Sequence, residues 1–348
     1  MKLLKHTLFS IFCIIFFSCG TDSSKEKTPE EIENERYDVS LKEKLGAFSP
    51  LPLTAQTELN VSSPAKIRLG HNLYFDKQLS KEGNISCNSC HNLETFGVDN
   101  LANSPGDEGK NGDRNSPTVL NAALHSTQFW DGRAKNVEEQ AGMPILNPIE
   151  MAIPNESFLI DRLSKDEKYK KLFSEAFPNQ NNPINYENLR LAIASFEREL
   201  ITPSRFDDYL KGNVNALTLQ EKKGLSSFIN IGCTTCHAGE ILGGNMFQKF
   251  GIHKNYWELT KSKTIDEGKF KVTGIESDKH VFKVPSLRNI EKTHPYFHDG
   301  SITSLEEAVE IMAIAQLNYN LSKDEKTNIV AFLKTLTGAV PIVYQKAP

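Results

Sequence analysis

The chain carries one pentapeptide pattern twice, as Cys87-Asn88-Ser89-Cys90-His91 and as Cys233-Thr234-Thr235-Cys236-His237. In a Cys-x-x-Cys-His sequence the two thiols form thioethers with the vinyl groups of a c-type haem, and the adjacent histidine ligates the iron. The sequence therefore predicts two covalently bound haem c groups. Cys87, Cys90 and His91 are expected to hold the first, and Cys233, Cys236 and His237 the second.

The six cysteines of the chain could instead indicate disulfides, a zinc site or a redox pair of thiols. Cys13 and Cys19, however, belong to an N-terminal signal, which leaves only the two pentapeptides. A Cys₂His₂ zinc site needs its ligand pairs at short spacing, and these two pairs lie far apart in the chain. A thioredoxin-type Cys-x-x-Cys needs a βαβ context, which the sequence does not provide. Haem attachment is therefore the interpretation we adopt.

The rest of the chain predicts helices joined by long loops, without convincing strands. Apolar residues recur at helical spacing over 189–200, and capping-box patterns predict helices that begin after Thr218, Ser304 and Ser322. A helical pattern ends at Thr202-Pro203, where a domain boundary is expected. The predicted fold class is mainly α, with two cytochrome c-like haem domains and long connecting loops.

The N-terminal end has the layout of an export signal. Its apolar run is too short to span a membrane comfortably and stops at a cysteine between small residues, so 1–19 is predicted to be a lipoprotein-type signal with Cys19 as the lipidation site. The alternative is an ordinary signal with a chance cysteine. Segment 20–55 is rich in charge and is predicted to be a flexible tether. The expected location is the periplasm, with a lipid anchor in a membrane.

The charge of the chain excludes one class of partner. The formal net charge is −4 at pH 7. A nucleic-acid-binding protein would need a basic surface to neutralise phosphates, so no nucleic-acid partner is expected.

Beyond the haem motifs, five ordered blocks of this sequence resemble the bacterial dihaem cytochrome c peroxidase family. They are LGHNLYFDKQLSKEGNISCNSCH (69–91), RNSPTVLN (114–121), FWDGRAKNVEEQAGMPILNPIEM (129–151), IGCTTCHAG (231–239) and FKVPSLRNIEKTHPYFHDGSITSLEEAVEIM (282–312). The resemblance implies a peroxide-reacting haem in a first domain (56–202) and an electron-transfer haem in a second (203–338). It also implies a cytochrome c peroxidase that reduces hydrogen peroxide with electrons from a small cytochrome c or a cupredoxin. The family is often dimeric, so a homodimer is an expectation.

The resemblance assigns catalytic roles to three residues. Cleavage of peroxide needs a base that takes a proton and returns it to the departing oxygen, and Glu150 matches the family's distal carboxylate. Gln140 matches an amide that orients peroxide by hydrogen bonding. Trp130 matches an aromatic residue between the two haems.

The same resemblance implies a second iron ligand and a calcium ion. Met312 matches the thioether ligand of the electron-transfer haem, and His/Met ligation raises the reduction potential. Met246 is the weaker candidate, in a glycine-rich loop. Asn115, Thr293 and Pro295 match positions that bind calcium, partly through backbone oxygens, which suit a hard cation.

The chain departs from the family pattern in the loop 103–109. Many relatives place a histidine there that blocks the peroxide site until an electron releases it, and this chain has Asp107. The loop is predicted to be exposed and mobile, and we expect the first haem to be open at rest. His125 is the nearest downstream histidine that could overturn this. His294 and His298 are expected to be structural or haem-edge residues, whereas His253 and His280 have no assigned role.

Two other functions compete with the peroxidase. One is a dihaem enzyme that oxidises tryptophans of a partner protein, whose second haem takes a tyrosine where this chain has Met312. The other is a dihaem cytochrome that only transfers electrons, which would not need Glu150 and Gln140.

Overall fold

A computed structural model describes residues 27–348, and within them the chain is mainly helical, as predicted. The helices of the first half are α1 (Pro29–Lys42), α2 (Pro64–Phe75), α3 (Cys87–Cys90), α4 (Val137–Gln140), α5 (Met143–Leu146), α6 (Glu156–Leu163), α7 (Glu167–Ala176) and α8 (Tyr186–Glu197). Those of the second half are α9 (Arg205–Leu210), α10 (Leu219–Ile231), α11 (Tyr256–Thr260), α12 (Phe270–Thr273), α13 (Leu305–Leu317) and α14 (Lys323–Lys334). Two short antiparallel strands, β1 (Phe247–Lys249) and β2 (Val281–Lys283), pair in the second half.

Both halves are built on one crossing of two long helices. α2 packs on α8 in the first half, and α10 packs on α14 in the second. Gly70 lies where α2 crosses α8, and a Cβ there would be 1.9 Å from the carbonyl oxygen of Ala192. Gly224 has the same place on α10, 1.8 Å from the carbonyl oxygen of Asn328. Only glycine permits either approach, since any side chain would force the helices apart.

One haem motif follows the first helix of each crossing. A segment of eleven residues leads from α2 to α3, which is the first Cys-x-x-Cys, whereas α10 is capped by Gly232, directly before the second. The predicted capping box at Thr218 begins α10, with the hydroxyl accepting from the Glu221 amide and the Glu221 side chain accepting in return. A second predicted capping box begins α14 after Ser322. The first residues of α10 and α14, the two helices that position the second motif, were thus predictable from the local sequence.

The apolar core separates into clusters. One is formed by residues of α2 and of 141–193, and another by residues of 206–336 together with Leu41 and Phe48. A smaller cluster around Tyr74, Phe196 and Val340 joins the C-terminal segment to the α2/α8 crossing. The limits proposed for the two domains, 56–202 and 203–338, stay predictions.

Helix α1 lies inside segment 20–55, for which the sequence predicts a flexible tether, and here the structure differs. Leu41 is buried in the second core, and Asp38 pairs with Lys222 of α10 at 2.8 Å and accepts from the Tyr209 hydroxyl at 3.0 Å. The prediction of a flexible tether is wrong for α1, because it rested only on the low apolar content of the segment itself. A polar helix is also stabilised by docking on another element.

The N-terminal signal and Cys19 lie outside the described residues. Among residues 27–348, no helix has both the length and the apolar character needed to cross a membrane.

Candidate active site

The first haem motif opens into a cavity of about 480 Å³. Residues that lie up to some sixty positions apart along the chain come together in its walls. They are the residues that the sequence assigned to the first haem and to peroxide chemistry: Cys87, Cys90, His91, Trp130, Gln140 and Glu150. His91 is the one histidine among the described residues that line it. Met151 is the one methionine, and its buried side chain belongs to the apolar core of the first half.

Glu150 is held at the rim of this cavity by a tight turn after α5. Its backbone amide donates to the carbonyl of Asn147 at 3.1 Å, and the Asn147 side-chain amide donates to its carboxylate at 2.7 Å. Burial raises the pKa of Glu150, while the nearby Arg133 cation and the Asn147 hydrogen bond oppose that rise. A carboxyl group with an elevated pKa can both accept and return a proton, as acid/base catalysis requires.

Asp107 is buried, which corrects the prediction of exposure at this position, although other residues of the loop 103–109 are exposed as predicted. Its side chain is only 6% exposed, and its carboxylate accepts from the backbone amides of Glu82 at 2.6 Å and Asn84 at 3.2 Å. Its own amide donates to the Glu150 carbonyl at 2.7 Å. No local pattern indicates this burial, because it depends on backbone amides about 25 positions away. Within the described residues Asp107 is not part of the cavity wall.

The second haem motif opens into a separate and more apolar cavity of about 240 Å³. Cys233, Cys236 and His237 line it together with Met312, which α13 presents to the same space. The Nδ1 atom of His237 lies 3.0 Å from the carbonyl oxygen of Leu242. This contact fixes the tautomer in which Nδ1 donates and Nε2 keeps its lone pair, the form that binds a metal.

Met246 lies outside both cavities, whereas His125 and His298 line the second one. Within the described chain, Met246 lines neither cavity, and its carbonyl accepts from the Val284 amide at 2.9 Å. His125 lines the second cavity, not the first. His298 also lines the second cavity and stacks on Phe282 with ring centroids 4.2 Å apart. Burial lowers the pKa of His298 to about 4, so it is neutral near pH 7.

Trp130 and the segment 115–118 line both cavities. The indole nitrogen of Trp130 donates to the carbonyl oxygen of Asn115 at 2.9 Å, which fixes the ring in the common wall. Trp130 therefore contacts both haem sites, and its role between the haems stays a prediction.

The four thiols fit covalent attachment of haem better than redox chemistry. All are unpaired and lie in the cavity walls. Burial raises the pKa of Cys87 to about 12 and the pKa values of Cys90 and Cys233 to about 11. Redox-active thiols have lowered pKa values, because the thiolate is the reactive form. His91 differs from His237, because its buried Nδ1 atom has no hydrogen-bond partner among residues 27–348.

The proposed calcium residues belong to the wall of the second cavity. Asn115, Thr293 and Pro295 all line it. The Asn115 side-chain amide donates to the Leu101 carbonyl at 2.9 Å, so its Oδ1 atom is directed elsewhere. Within residues 27–348, no group of three or more His, Cys, Asp or Glu side chains could hold a metal. Any cation here would depend on neutral oxygens, which calcium accepts.

Several charged residues of the first cavity were not predicted from the sequence. Arg114 lines it and pairs with Asp131 at 2.7 Å and with Asp266 at 2.6 Å. Glu197 of α8 also lines it, and burial raises its pKa to about 8. No local signal could have found them, because charged residues on a helix or loop are usually solvated.

Comparison with known proteins settles the family. The family profile described as di-haem cytochrome c peroxidase matches residues 64–215. The chain is 46% identical over 302 residues to cytochrome c551 peroxidase of Nitrosomonas europaea, which covers 85% of this chain and 86% of that protein. The chain belongs to the di-haem cytochrome c peroxidase family. The predicted family and peroxidase function are thereby confirmed, together with the two haem groups that the family name denotes.

Two further relatives define the breadth of this family. Cytochrome c551 peroxidase of Pseudomonas aeruginosa is 44% identical over 85% of this chain and 86% of its own length. Methylamine utilization protein MauG of Methylorubrum extorquens is 32% identical over 80% of this chain and 79% of its own length. A solved structure of a MauG-like protein associated with microbial copper homeostasis superposes with a TM-score of 0.75 at 29% identity, covering 86% of this chain and 97% of that one. The predicted fold class is confirmed by that likeness.

Proposed function

We propose that this protein reduces hydrogen peroxide to water in the first cavity, with electrons that enter through the second. The observation that carries the proposal is the asymmetry of the two cavities. The first is lined by a carboxyl group and an amide, Glu150 and Gln140, together with its haem motif, whereas the second is lined by a thioether, Met312. The bound haems supply the iron that passes electrons to peroxide.

Glu150 is proposed to be the acid/base group. With its pKa raised by burial, its carboxylate can take a proton from one oxygen of peroxide and return it to the oxygen that leaves as water. Gln140 can orient peroxide, because its amide is both donor and acceptor. The buried backbone contact between Asp107 and Glu150 holds the carboxylate at the cavity.

Met312 is proposed to be the second ligand of the iron at His237. Its thioether lines the same cavity as the His237 ring. A His/Met pair favours the reduced iron and leaves no open position for peroxide. Trp130, in the common wall, is proposed to couple the two sites.

Steady-state turnover tests this function. Purified protein with two attached haems should consume peroxide when supplied with a reduced small cytochrome c or a reduced cupredoxin, and comparison of the two identifies the class of donor. A protein that oxidises the reduced donor only through its haems, without consuming peroxide, would be an electron-transfer cytochrome.

The first haem is proposed to be open in the resting oxidised protein. His91 is the one histidine of the described cavity wall, and Asp107 is engaged by backbone amides. Electron paramagnetic resonance of the oxidised protein should show a high-spin ferric signal that responds to peroxide before any reduction. Two low-spin signals, with no reaction until one electron is added, would show that the site is blocked.

Calcium is proposed to bind at Asn115, Thr293 and Pro295. Carboxamide and backbone oxygens are suitable ligands, and the site borders the second cavity and the common wall. Calorimetric titration of chelator-treated protein should show one calcium site. Asn115→Ala should abolish that heat, and unchanged binding would exclude these residues.

The periplasmic location and the lipid anchor are proposed from the sequence of 1–19. Labelled fatty acid should be incorporated into the protein in cells, and Cys19→Ser should prevent it. A mature protein that is exported and unlabelled would have an ordinary signal.

A homodimer is proposed from family resemblance, and light scattering of the purified protein checks it.

A further inference from the structure

Lys283 is a buried lysine in the wall of the second cavity. It is the last residue of β2, pairs with Phe247 of β1 and is only 6% exposed. Its backbone amide donates to the Trp130 carbonyl at 2.7 Å, which ties it to the common wall. The Nζ atom donates to the Thr127 carbonyl at 2.7 Å and lies 3.0 Å from Nδ1 of His125. The side chain is therefore held in one position.

This lysine differs from the other deeply buried cations of the described chain. Arg288 pairs with Asp207 at 2.6 Å, Arg198 with Glu138 at 2.8 Å, and Lys222 with Asp38 at 2.8 Å. Lys283 has no carboxylate within 4.0 Å among residues 27–348. Asp131, the acid whose charge raises the pKa of Lys283, already pairs with Arg114 and Arg133. A buried ammonium without a counter-ion is costly, so its retention here needs an explanation.

The cavity itself provides no protein anion for it. Among the described residues that line the cavity there is no aspartate or glutamate, and Lys283 is the one lysine or arginine. The neighbouring His125 is neutral, because burial and the lysine itself depress its pKa well below the ordinary value. Its Nδ1 atom therefore serves as an acceptor for the ammonium. The arrangement is that of a cation prepared for one anionic group of a bound molecule.

We propose that Lys283 binds a propionate carboxylate of the haem attached at Cys233 and Cys236 and thereby raises the reduction potential of that haem. The proposal rests on the attachment of haem at the second motif. Haem carries two ionised propionates on one edge, and such carboxylates in an apolar cavity need cationic or hydrogen-bonding partners. A fixed positive charge near the haem favours the reduced form, which carries one more electron.

The effect of burial on Lys283 itself is consistent with this role. In the protein alone, burial lowers the pKa of Lys283 to about 7. A carboxylate within hydrogen-bonding distance would restore the charged form of the lysine. Lysine and haem would then stabilise each other's charged groups.

Potentiometric titration, followed at the absorption bands of each haem, tests the proposal. Lys283→Gln keeps a donor but removes the charge. It should lower the equilibrium constant for reduction of the second haem about tenfold, which is a fall of 59 mV in the potential of a one-electron couple. Lys283→Arg keeps the charge and should change that equilibrium constant by less than about threefold. Lys249→Gln is the matched control, because it removes an exposed lysine from the partner strand β1 outside the cavity.

Each outcome bears on the proposal. An unchanged potential of the second haem in Lys283→Gln, with two haems attached, overturns it, as does a shift confined to the first haem. If Lys283→Gln loses the second haem while Lys283→Arg keeps it, the charge is needed to hold the cofactor and the proposal stands; loss in both variants overturns it. A wild-type potential that follows chloride concentration would identify a solvent anion instead. A haemochrome assay measures separately how many haems are attached. Wild-type protein without haem at the second motif would refute the proposed function itself.

Discussion

The two haem cavities share one scaffold and differ in their walls. Each motif follows a helix that crosses its partner at a glycine, Gly70 in one half and Gly224 in the other. The first cavity is the larger and is lined by acids, amides and arginines, including Glu150 and Arg114. Among the residues that the structure describes, the second is smaller and apolar, with one lysine and a methionine in its wall. The same covalent attachment can therefore serve two chemistries, because the reactivity of each haem is set by the side chains that surround it.

The largest effect is expected from removing one attachment site at a time. Replacing Cys87 and Cys90 with alanine should leave one haem per chain and abolish peroxide turnover, because the reacting iron is lost. Replacing Cys233 and Cys236 should also leave one haem, but one that still binds peroxide in the oxidised protein. Intact mass and peroxide titration distinguish the variants. If the two variants behaved alike towards peroxide, the comparison between the cavities would be wrong.

Glu150→Gln should keep both haems and lower peroxide turnover about 10²-fold, the usual contribution of a positioned acid/base group. The matched control is Glu108→Gln, which removes a more exposed acid that pairs with Lys81 at 2.7 Å in the neighbouring loop. Steady-state kinetics with a reduced donor measures both. Equal rates in the two variants would remove Glu150 from the mechanism.

Met312→His should keep the second iron low-spin and lower its reduction potential, because imidazole stabilises the ferric state better than a thioether does. The shift is expected to be on the order of 0.1 V, within the range of about 0.8 V that axial ligands span. Met246→His is the control, since Met246 lies outside the described cavity walls. An unaltered potential in Met312→His would point to His298, the buried histidine of the same cavity.

Asp38→Asn should destabilise the second half, to which α1 is docked. The change leaves the ammonium of Lys222, which is 0% exposed, without its counter-ion. The loss is expected to be about 1–3 kcal/mol, less than for a fully buried pair because Asp38 is partly exposed. Glu33→Gln breaks a more exposed α1/α10 pair with Lys223 and should cost about 0.5 kcal/mol or less. Denaturant unfolding measures both, and equal losses would mean that α1 is not anchored by Asp38.

The smallest effect is a shift in the pH profile of turnover. Glu150 must be ionised to accept a proton, so turnover should fall as the pH decreases through its raised pKa. The Arg133 cation lowers that pKa, so Arg133→Gln should raise it and move the acidic limb to higher pH. Arg68→Gln, which removes an exposed arginine of α2, should leave the limb in place. A limb that moves to lower pH in Arg133→Gln would contradict this assignment.

The haem motifs, the mainly helical class and the first residues of the helices near the second motif could all be predicted from the sequence. These features depend on covalent chemistry or on residues three or four positions apart, such as Thr218 and Glu221, so they can be recognised locally. The resemblance added Glu150, Gln140 and Met312, and the structure places each of them at a cavity of the expected kind.

The identity of the buried charged residues and of their partners could be read only from the folded chain. Asp107, Lys283 and α1 all have sequences typical of solvated segments, yet each is held by partners far away in the chain: the amides of Glu82 and Asn84, the carbonyl of Thr127, and Lys222 of α10. The physical reason is that the cost of burying a charge depends on the groups packed around it, which only the folded chain brings together. For the same reason Trp130 could be named from sequence, while its place in the wall between two cavities needed the fold.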